Sequence, residues 1–521
     1  MRSAAEGESL RMAELLAALS LAMDLGIGQP LEWMLGACLA GLRFAECLGL
    51  PVATRRDVFY LSLLRHIGCS ATATEKAVFF GDDLAAGDAV MMDAERIGEI
   101  FGFMFSTVGK GQSGARRAVL MAKAFLSGPA AAHNSFKVQC EIGEQMADKL
   151  GFGPEVCEGM RQIFERWDGK GVPRRLKGEG VSLPLRILGV TQDAATAHRM
   201  GGVDGAIAYL RRRSGTTLDP ALVKAFIADA PALLAGLGEG PLWDAVLSAE
   251  PGEPLRLSGE ALETALQAVA DYSDLKSPFT GGHSRRVADL AERAAALSGL
   301  PDSDRRSVRW MGYLHDLGKV GISAAIWNKP GGLSEGEWER VHLHSHYTER
   351  IFARSPLLAS LASAAALDHE RMDGSGYPRR PPASQLPATV RLLAAADAYA
   401  AMTEPRPHRA ALPGEKAAEE LRREAQAGRL DAKAVEAVLQ AAGQGKRARN
   451  AQVTGAAGGL SEREIEVLRL AARGLSNKGI ADTLCISSRT AEHHLQHVYG
   501  KIGVSSRAGA ALYAMRNGLL D

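Results

Sequence analysis

The sequence predicts a mainly α protein, with two tandem helical-bundle domains followed by a small four-helix domain at the C-terminus. Three observations carry that reading. Apolar residues recur at helical spacing while strand-like alternation is scarce. Blocks of the first half reappear in the second half at consistent offsets. A Gly-, Ala- and Lys/Arg-rich stretch, GQGKRARNAQVTGAAGG at 443–459, then separates the last domain.

In chain order, LLAALSLAM at 15–23, VADLAERAAALSGL at 287–300 and EKAAEELRREAQAG at 415–428 each place apolar side chains on one helical face. Gly and Pro collect near 236–259 and mark a weaker break. The expected domains are therefore 1–240, 258–442 and 460–521, with 443–459 as a linker. At 521 residues the chain is too long for one core.

The repeat is specific. GLPDSDRRSVRWMGYLHDLGK (299–319) lies over GLPVATRRDVFYLSLLRHIGC (49–69) at an offset of 250. HERMDGSGYPRR (369–380) lies over FERWDGKGVPRR (164–175), and VRLLAAAD (390–397) over LRILGVTQ (185–192), both at 205. The change of offset is an insertion in the first copy, after Cys69.

Composition sets outer bounds. Sixty-one basic against 60 acidic residues leave the whole chain near neutral, so any basic patch must be local. Six scattered cysteines without a CxxC pair argue against a disulfide frame or a structural zinc site, and for a reducing compartment. An acidic N-terminal stretch and the lack of a long apolar run predict a cytoplasmic protein with no membrane segment.

The second copy carries metal-seeking chemistry in five clusters: His283; His315 with Asp316; His344; Asp368 with His369; and Asp397. Mixed imidazole and carboxylate donors suit Mn, Fe or Zn, and a carboxylate can bridge two such cations. Such a pair clamps a phosphate and activates a water for in-line attack at phosphorus. Lys319, four residues after His315, is read as lying one helical turn along, where its ammonium would meet a phosphate oxygen. His133, His198, His342, His346 and His408 are read as ordinary surface or core residues.

On these residues, with HSRRV at 283–287, HDLGK at 315–319, KPGGLSEGEWERVHLH at 329–344, DHERMDGSGYP at 368–378 and VRLLAAADAYAAMTEPRPHR at 390–409, the chain resembles the HD-GYP subgroup of the HD phosphohydrolases. The resemblance implies an HD-type helical bundle that binds two divalent metals, Mn or Fe before Zn, and hydrolyses cyclic di-GMP. It implies metal ligation by His283, His315, Asp316, His344, Asp368, His369 and Asp397, with Asp316 and Lys319 in catalytic roles. Lys319, Arg286, Arg406 and the loop of Gly376, Tyr377 and Pro378 would contact the substrate. Asp368 stands where the family has histidine, and Phe279 where three-metal members have glutamate, so two metals are expected. Non-catalytic nucleotide sensing, or hydrolysis of another nucleotide, are the alternatives.

In the first copy Trp33 replaces His283, Arg65 and His66 replace His315 and Asp316, and Cys69 replaces Lys319. Gln139 replaces His344, Ile163 and Phe164 replace Asp368 and His369, and Gln192 replaces Asp397. That copy is expected to fold without a catalytic metal.

The C-terminal stretch, LSEREIEVLRLAARGLSNKGIADTLCISSRTAEHHLQHVYGKIGVSSRAGAALYAMRNGLL at 460–520, opens with a helix whose apolar face includes Ile465, Leu468 and Ala472 and which ends at Gly474. Ser476 caps a second helix, and a turn at 485–488 leads to a polar third one. The segment resembles the LuxR-type helix-turn-helix, which implies a homodimer on double-stranded DNA, joined through a last helix at about Ser505 to Asn517. Lys478, Thr490 and Lys501 would meet phosphates, Arg489, His493 and His494 would approach bases, and Asn477 and Ser488 belong to the same surface.

Overall fold

In the computed structural model, residues 8–85, 87, 102, 105–109, 114–444 and 460–520 are described. They are helical apart from one two-stranded ribbon and isolated bridges. The chain divides into two compact units, residues 1–265 and 266–521. Among the described residues no helix is long and apolar enough to cross a membrane. Most of the expected linker, 445–459, lies outside the described residues.

The first unit is built on α1 (Met12–Gly26), α2 (Trp33–Cys47), α3 (Val52–Leu64), α4 (Gly114–Lys149), α5 (Pro154–Arg161), α6 (Leu183–Arg213, broken at Gly201 and Gly202) and α7 (Pro220–Ala228). Helices α1 to α3 are buried along most of their lengths, which explains their dense Leu and Ala content. This unit reaches beyond the expected boundary at 240. Strand β2 (Arg256–Ser258) pairs antiparallel with β1 (Ser9–Arg11), and the buried Glu250 receives Arg11 at 2.5 Å and the Tyr60 hydroxyl at 2.7 Å. A three-residue strand carries too little periodic signal to be read from sequence.

The second unit begins inside α8 (Gly259–Asp274). Its bundle comprises α9 (His283–Leu297), α10 (Asp302–Leu314), α11 (Glu335–Phe352), α12 (Pro356–Ala365), α13 (Ala388–Thr403), α14 (Gly414–Gln426) and α15 (Ala432–Ala441). Four further helices follow: α16 (Glu462–Ala472), α17 (Asn477–Leu484), α18 (Ser488–Ile502) and α19 (Arg507–Arg516). Each starts at a serine whose hydroxyl accepts a backbone N–H, and Ser461 with Glu464 forms a full capping box. Val467, Ala471, Ile480, Ala481, Ala491 and Leu495 make a core shared by α16, α17 and α18.

The repeated phrase has a packing cause. After α10 the chain does not continue as α-helix; His315 caps it and Leu317–Gly321 turns as a 3-10 helix. There a Cβ on Gly318 would stand 1.9 Å from the His344 carbonyl oxygen, so only glycine allows this turn to touch α11. In the first unit a Cβ on Gly68 would stand 2.1 Å from the Gln139 carbonyl oxygen. Gln139 is the residue the offset pairs with His344. Likewise Glu370 accepts from the backbone N–H groups of Arg379 and Arg380, and Glu165 from those of Arg174 and Leu176. Arg391 pairs with Asp431 at 3.0 Å and Arg186 with Asp219 at 2.9 Å, each aspartate capping the following helix.

Gly68→Ala and Gly318→Ala should therefore destabilise their own units by similar amounts, about 1–3 kcal/mol each. Chemical denaturation checks this, and an unchanged midpoint in either variant would contradict the close approach.

Candidate metal centre and nucleic-acid interface

The local fold delivers the donors from separate elements. His283 is the first residue of α9, entered through Gly282 at φ 74°. His315 and Asp316 lie at the turn after α10, His344 on α11, Asp368 and His369 after α12, and Asp397 on α13. The turn is tied down by its backbone. Ser273 donates to the Asp316 carbonyl at 2.7 Å, Thr348 donates to that of His315 at 2.9 Å, and Thr348 accepts from the Gly318 N–H at 2.9 Å.

All seven expected ligands come together, in two adjoining groups. One is His283, His315 and Asp397; the other is Asp316, His344, Asp368 and His369; within each, ligand atoms lie within 4.8 Å of one another. Two carboxylates span them. Asp316 presents Oδ2 to His315 at 3.3 Å and His283 at 3.6 Å, and Oδ1 to His344 at 3.9 Å. Asp397 presents Oδ1 to His283 at 3.1 Å and Oδ2 to His369 at 3.8 Å. The Nδ1 atoms of His315 and His344 face the carbonyls of Gly312 (2.8 Å) and Val341 (2.6 Å), which leaves each Nε2 for the cluster.

Electrostatics expose what the cluster lacks. Asp368 is fully buried and neither carboxylate oxygen has a hydrogen-bond partner; His315 Nε2 and Asp316 Oδ1 are also without one. Burial, reinforced by Asp397 and Asp316, raises Asp368 above the usual carboxylate range. Burial pulls the His315 imidazole down, but Asp316, with Asp368 and Asp397 behind it, more than reverses this and carries it to about 10. Burial lowers His344 to about 4 and holds His369 well below its usual value. Buried orphan oxygens beside imidazole nitrogens fit divalent cations, which would neutralise the carboxylates and occupy the orphaned lone pairs.

Glu404 was not singled out from the sequence, because it lies in an otherwise featureless TEPRP stretch. It is buried, and its carboxylate reaches His283 Nδ1 at 2.9 Å, Arg286 at 2.7 Å and Arg406 at 3.1 Å. Burial opposes its ionisation, yet His283, Arg286 and Arg406 together hold it well below the usual range. Arg286 and Arg406, expected at the substrate, are thus gripped by Glu404, which also turns His283 Nε2 toward the cluster. Lys319, carried by the 3-10 turn rather than an α-helical one, bonds Asp316 and lies 5.3 Å from the centre of the Trp327 ring. Gly376 is buried, where a Cβ would meet the His369 carbonyl at 2.4 Å, and it sets Tyr377 against the His369 ring at 4.8 Å. Pro378 follows, exposed, after a cis peptide bond.

Apart from Arg65, the first unit fills the corresponding positions with neutral groups, several of which bond one another. The rings of Trp33 and His66 lie 5.4 Å apart, His66 Nε2 meets Gln192 at 2.8 Å, Cys69 donates to Gln139 at 3.1 Å, and Gln139 donates to Ser135 at 2.9 Å. Phe164 packs on Phe136 at 4.6 Å.

In the C-terminal helices, Lys478, Ser488, Arg489, Thr490 and His493 are exposed, and Asn477 and His494 are half-buried. Arg489, Thr490, His493 and His494 all belong to α18, opened by Ser487, which also holds the Thr490 hydroxyl at 2.7 Å. Two expected contacts are already engaged: Lys501 bonds Glu464 at 2.7 Å, and Asn477 Oδ1 accepts from Arg507 at 2.8 Å.

Comparison with known proteins places the chain. An HD domain family model matches residues 134–222 and 267–434, so it covers parts of both copies, and a model of bacterial regulatory proteins of the luxR family matches 459–514. A 3'3'-cGAMP-specific phosphodiesterase 3 of Vibrio cholerae is 32% identical over 410 residues, 78% of this chain and 89% of that protein. The chain belongs to the HD-domain family. A cyclic di-GMP phosphodiesterase of Thermotoga maritima is 36% identical over 164 residues, 31% of this HD-domain chain and 44% of its own. A crystal structure of a cyclic GMP-AMP specific phosphodiesterase of Vibrio cholerae superposes with a TM-score of 0.57 at 28% identity, covering 84% of this chain and 98% of that one. HD-domain phosphodiesterases are metal-dependent, in keeping with the two donor groups.

Glu404→Ala should weaken metal binding about 10- to 100-fold, because His283 loses the carboxylate that orients its ring. Metal titration of the purified protein checks this; an unchanged affinity would show that His283 is oriented without Glu404.

Proposed function

We propose that this chain is a DNA-binding regulator whose second unit hydrolyses a cyclic dinucleotide of the cyclic di-GMP or 3'3'-cGAMP class. The observation that carries the reading is the pair of donor groups spanned by Asp316 and Asp397, with the bare carboxylate of Asp368 between imidazoles. His283, His315 and Asp397 would hold one cation and Asp316, His344, Asp368 and His369 a second, with Mn or Fe as the expected metals. Two such cations supply Lewis-acid activation of the phosphate and of the attacking water. Asp316 and Asp397 keep the two groups in register. The Lys319 ammonium, beside Asp316 and half covered by Trp327, provides positive charge for a non-bridging phosphate oxygen, and Tyr377 walls the entrance.

The domain at 258–442 is the enzyme. The copy at 1–240 is a packing or sensing domain without metal, since Arg65 puts a cation and Trp33, Ile163 and Phe164 put apolar groups where ligands would stand. The domain at 460–521, tethered by 443–459, binds double-stranded DNA as a dimer in the cytoplasm. Arg489, His493 and His494 approach base edges, while Lys478 and Thr490 meet phosphates.

Turnover tests the enzymatic half: purified protein loaded with Mn or Fe(II) should hydrolyse cyclic di-GMP or 3'3'-cGAMP, and His315→Ala with Asp316→Ala should abolish it. Binding without turnover in the loaded wild type would leave a nucleotide sensor instead. For the other half, Arg489→Ala should lower operator affinity and Lys478→Ala should flatten its salt dependence by about one ion. Equal binding by wild type and both variants would remove Lys478 of α17 and Arg489 of α18 from the interface.

A further inference from the structure

A row of rings leads out of the candidate metal centre. The Tyr377 ring lies between two imidazoles, 4.8 Å from His369 with planes 28° apart and 3.9 Å from His342 with planes 25° apart. Beyond His342, at 5.9 Å, comes Trp338. The row therefore starts at a candidate ligand, His369, and ends at the surface. His342, read from the sequence as an ordinary surface or core residue, is half-buried and packs between the Tyr377 and Trp338 rings.

Packing does not account for the outer end. Trp338 is 47% exposed, and Leu343 on the same helix is 42% exposed, although Val341, His344 and Ser345 of that helix are buried. A tryptophan left half in water contributes only part of its burial energy to the fold. Its position is nevertheless fixed. Residues 338 and 342 are one turn apart on α11, and the start of that helix is locked by the Ser334–Glu337 capping box and by Lys329 bonded to Glu337 at 2.6 Å.

We infer that Trp338 and His342 form a stacking wall for one purine base of a cyclic dinucleotide whose phosphate sits at the metal centre. The inference rests on the phosphodiesterase reading above and extends it from the phosphate to the base. Flat rings bind any nucleobase through its π-face, and the wall is continuous with the site that takes the phosphate. A ligand with a phosphate and no base would pass it by. The wall thus selects nucleotides over simple phosphodiesters without reading base edges, and Trp338 and His342 act on binding rather than on the chemical step.

Steady-state kinetics on cyclic di-GMP and 3'3'-cGAMP test this in the full-length, metal-loaded protein, with metal content and thermal midpoint measured on every variant. Trp338→Ala and His342→Ala should each raise KM about 5- to 150-fold with kcat within about twofold. His342→Phe, which keeps a flat ring, should restore KM. Unchanged KM in both alanine variants while wild type turns over would overturn the stacking wall and leave the phosphodiesterase reading standing. A fall in kcat with unchanged KM would overturn it too, by making these rings part of the catalytic support. No binding or turnover of either dinucleotide by wild type would remove both readings.

Discussion

The second unit depends on burying three aspartates close together. Asp316, Asp368 and Asp397 are withdrawn from water among four histidines, and neither Asp368 oxygen has a hydrogen-bond partner, although His369 Nε2 lies 3.3 Å from one of them. Removing carboxylates from water is costly unless they are paired. Here the imidazoles and Lys319 offset part of the cost for Asp316 and Asp397, while Asp368 stays raised. The surrounding architecture is a frame for that unfinished electrostatics: α9, α10, α11 and α13 each contribute a donor at one end or one face, and Glu404 braces the histidine at the rim. The divalent cations proposed for these donors would neutralise it.

The two copies separate scaffold from chemistry. The scaffold is kept in both, in the glycine that lets a turn touch the facing helix, the glutamate that gathers backbone N–H groups, and the arginine–aspartate pair at a helix cap. The chemistry is kept only once. In the first unit tryptophan, glutamine and cysteine take up the space, and His66 is held neutral by burial and by Arg65 and Lys76. A phrase is written twice because glycine and its apolar neighbours serve packing, and packing survives the loss of charge.

Much of this was legible in the sequence, and the reason is local. Metal-seeking side chains come in fixed residue types at motif spacing, and helix caps are single residues, so His315 with Asp316, and the cap Ser476, could be read directly. What was missed involves long-range partners. Glu404 matters because α9 brings His283 to it across 121 positions, and His342 because Tyr377 folds back over it. The reach of Arg286 and Arg406 to Glu404 rather than outward, and of Lys501 to Glu464, likewise follows from tertiary neighbours. The β1–β2 pairing, between residues nearly 250 positions apart, is also invisible to local pattern.

Among the described residues, groups of three or more metal-holding donors gather in the second copy and not in the first. Anomalous X-ray scattering from crystals of the metal-loaded full-length protein tests it directly. The prediction is two neighbouring peaks, one among His283, His315 and Asp397 and one among Asp316, His344, Asp368 and His369, and none beside His66, Gln139 and Gln192. A peak in the first copy, or an empty second copy under saturating metal, would contradict it.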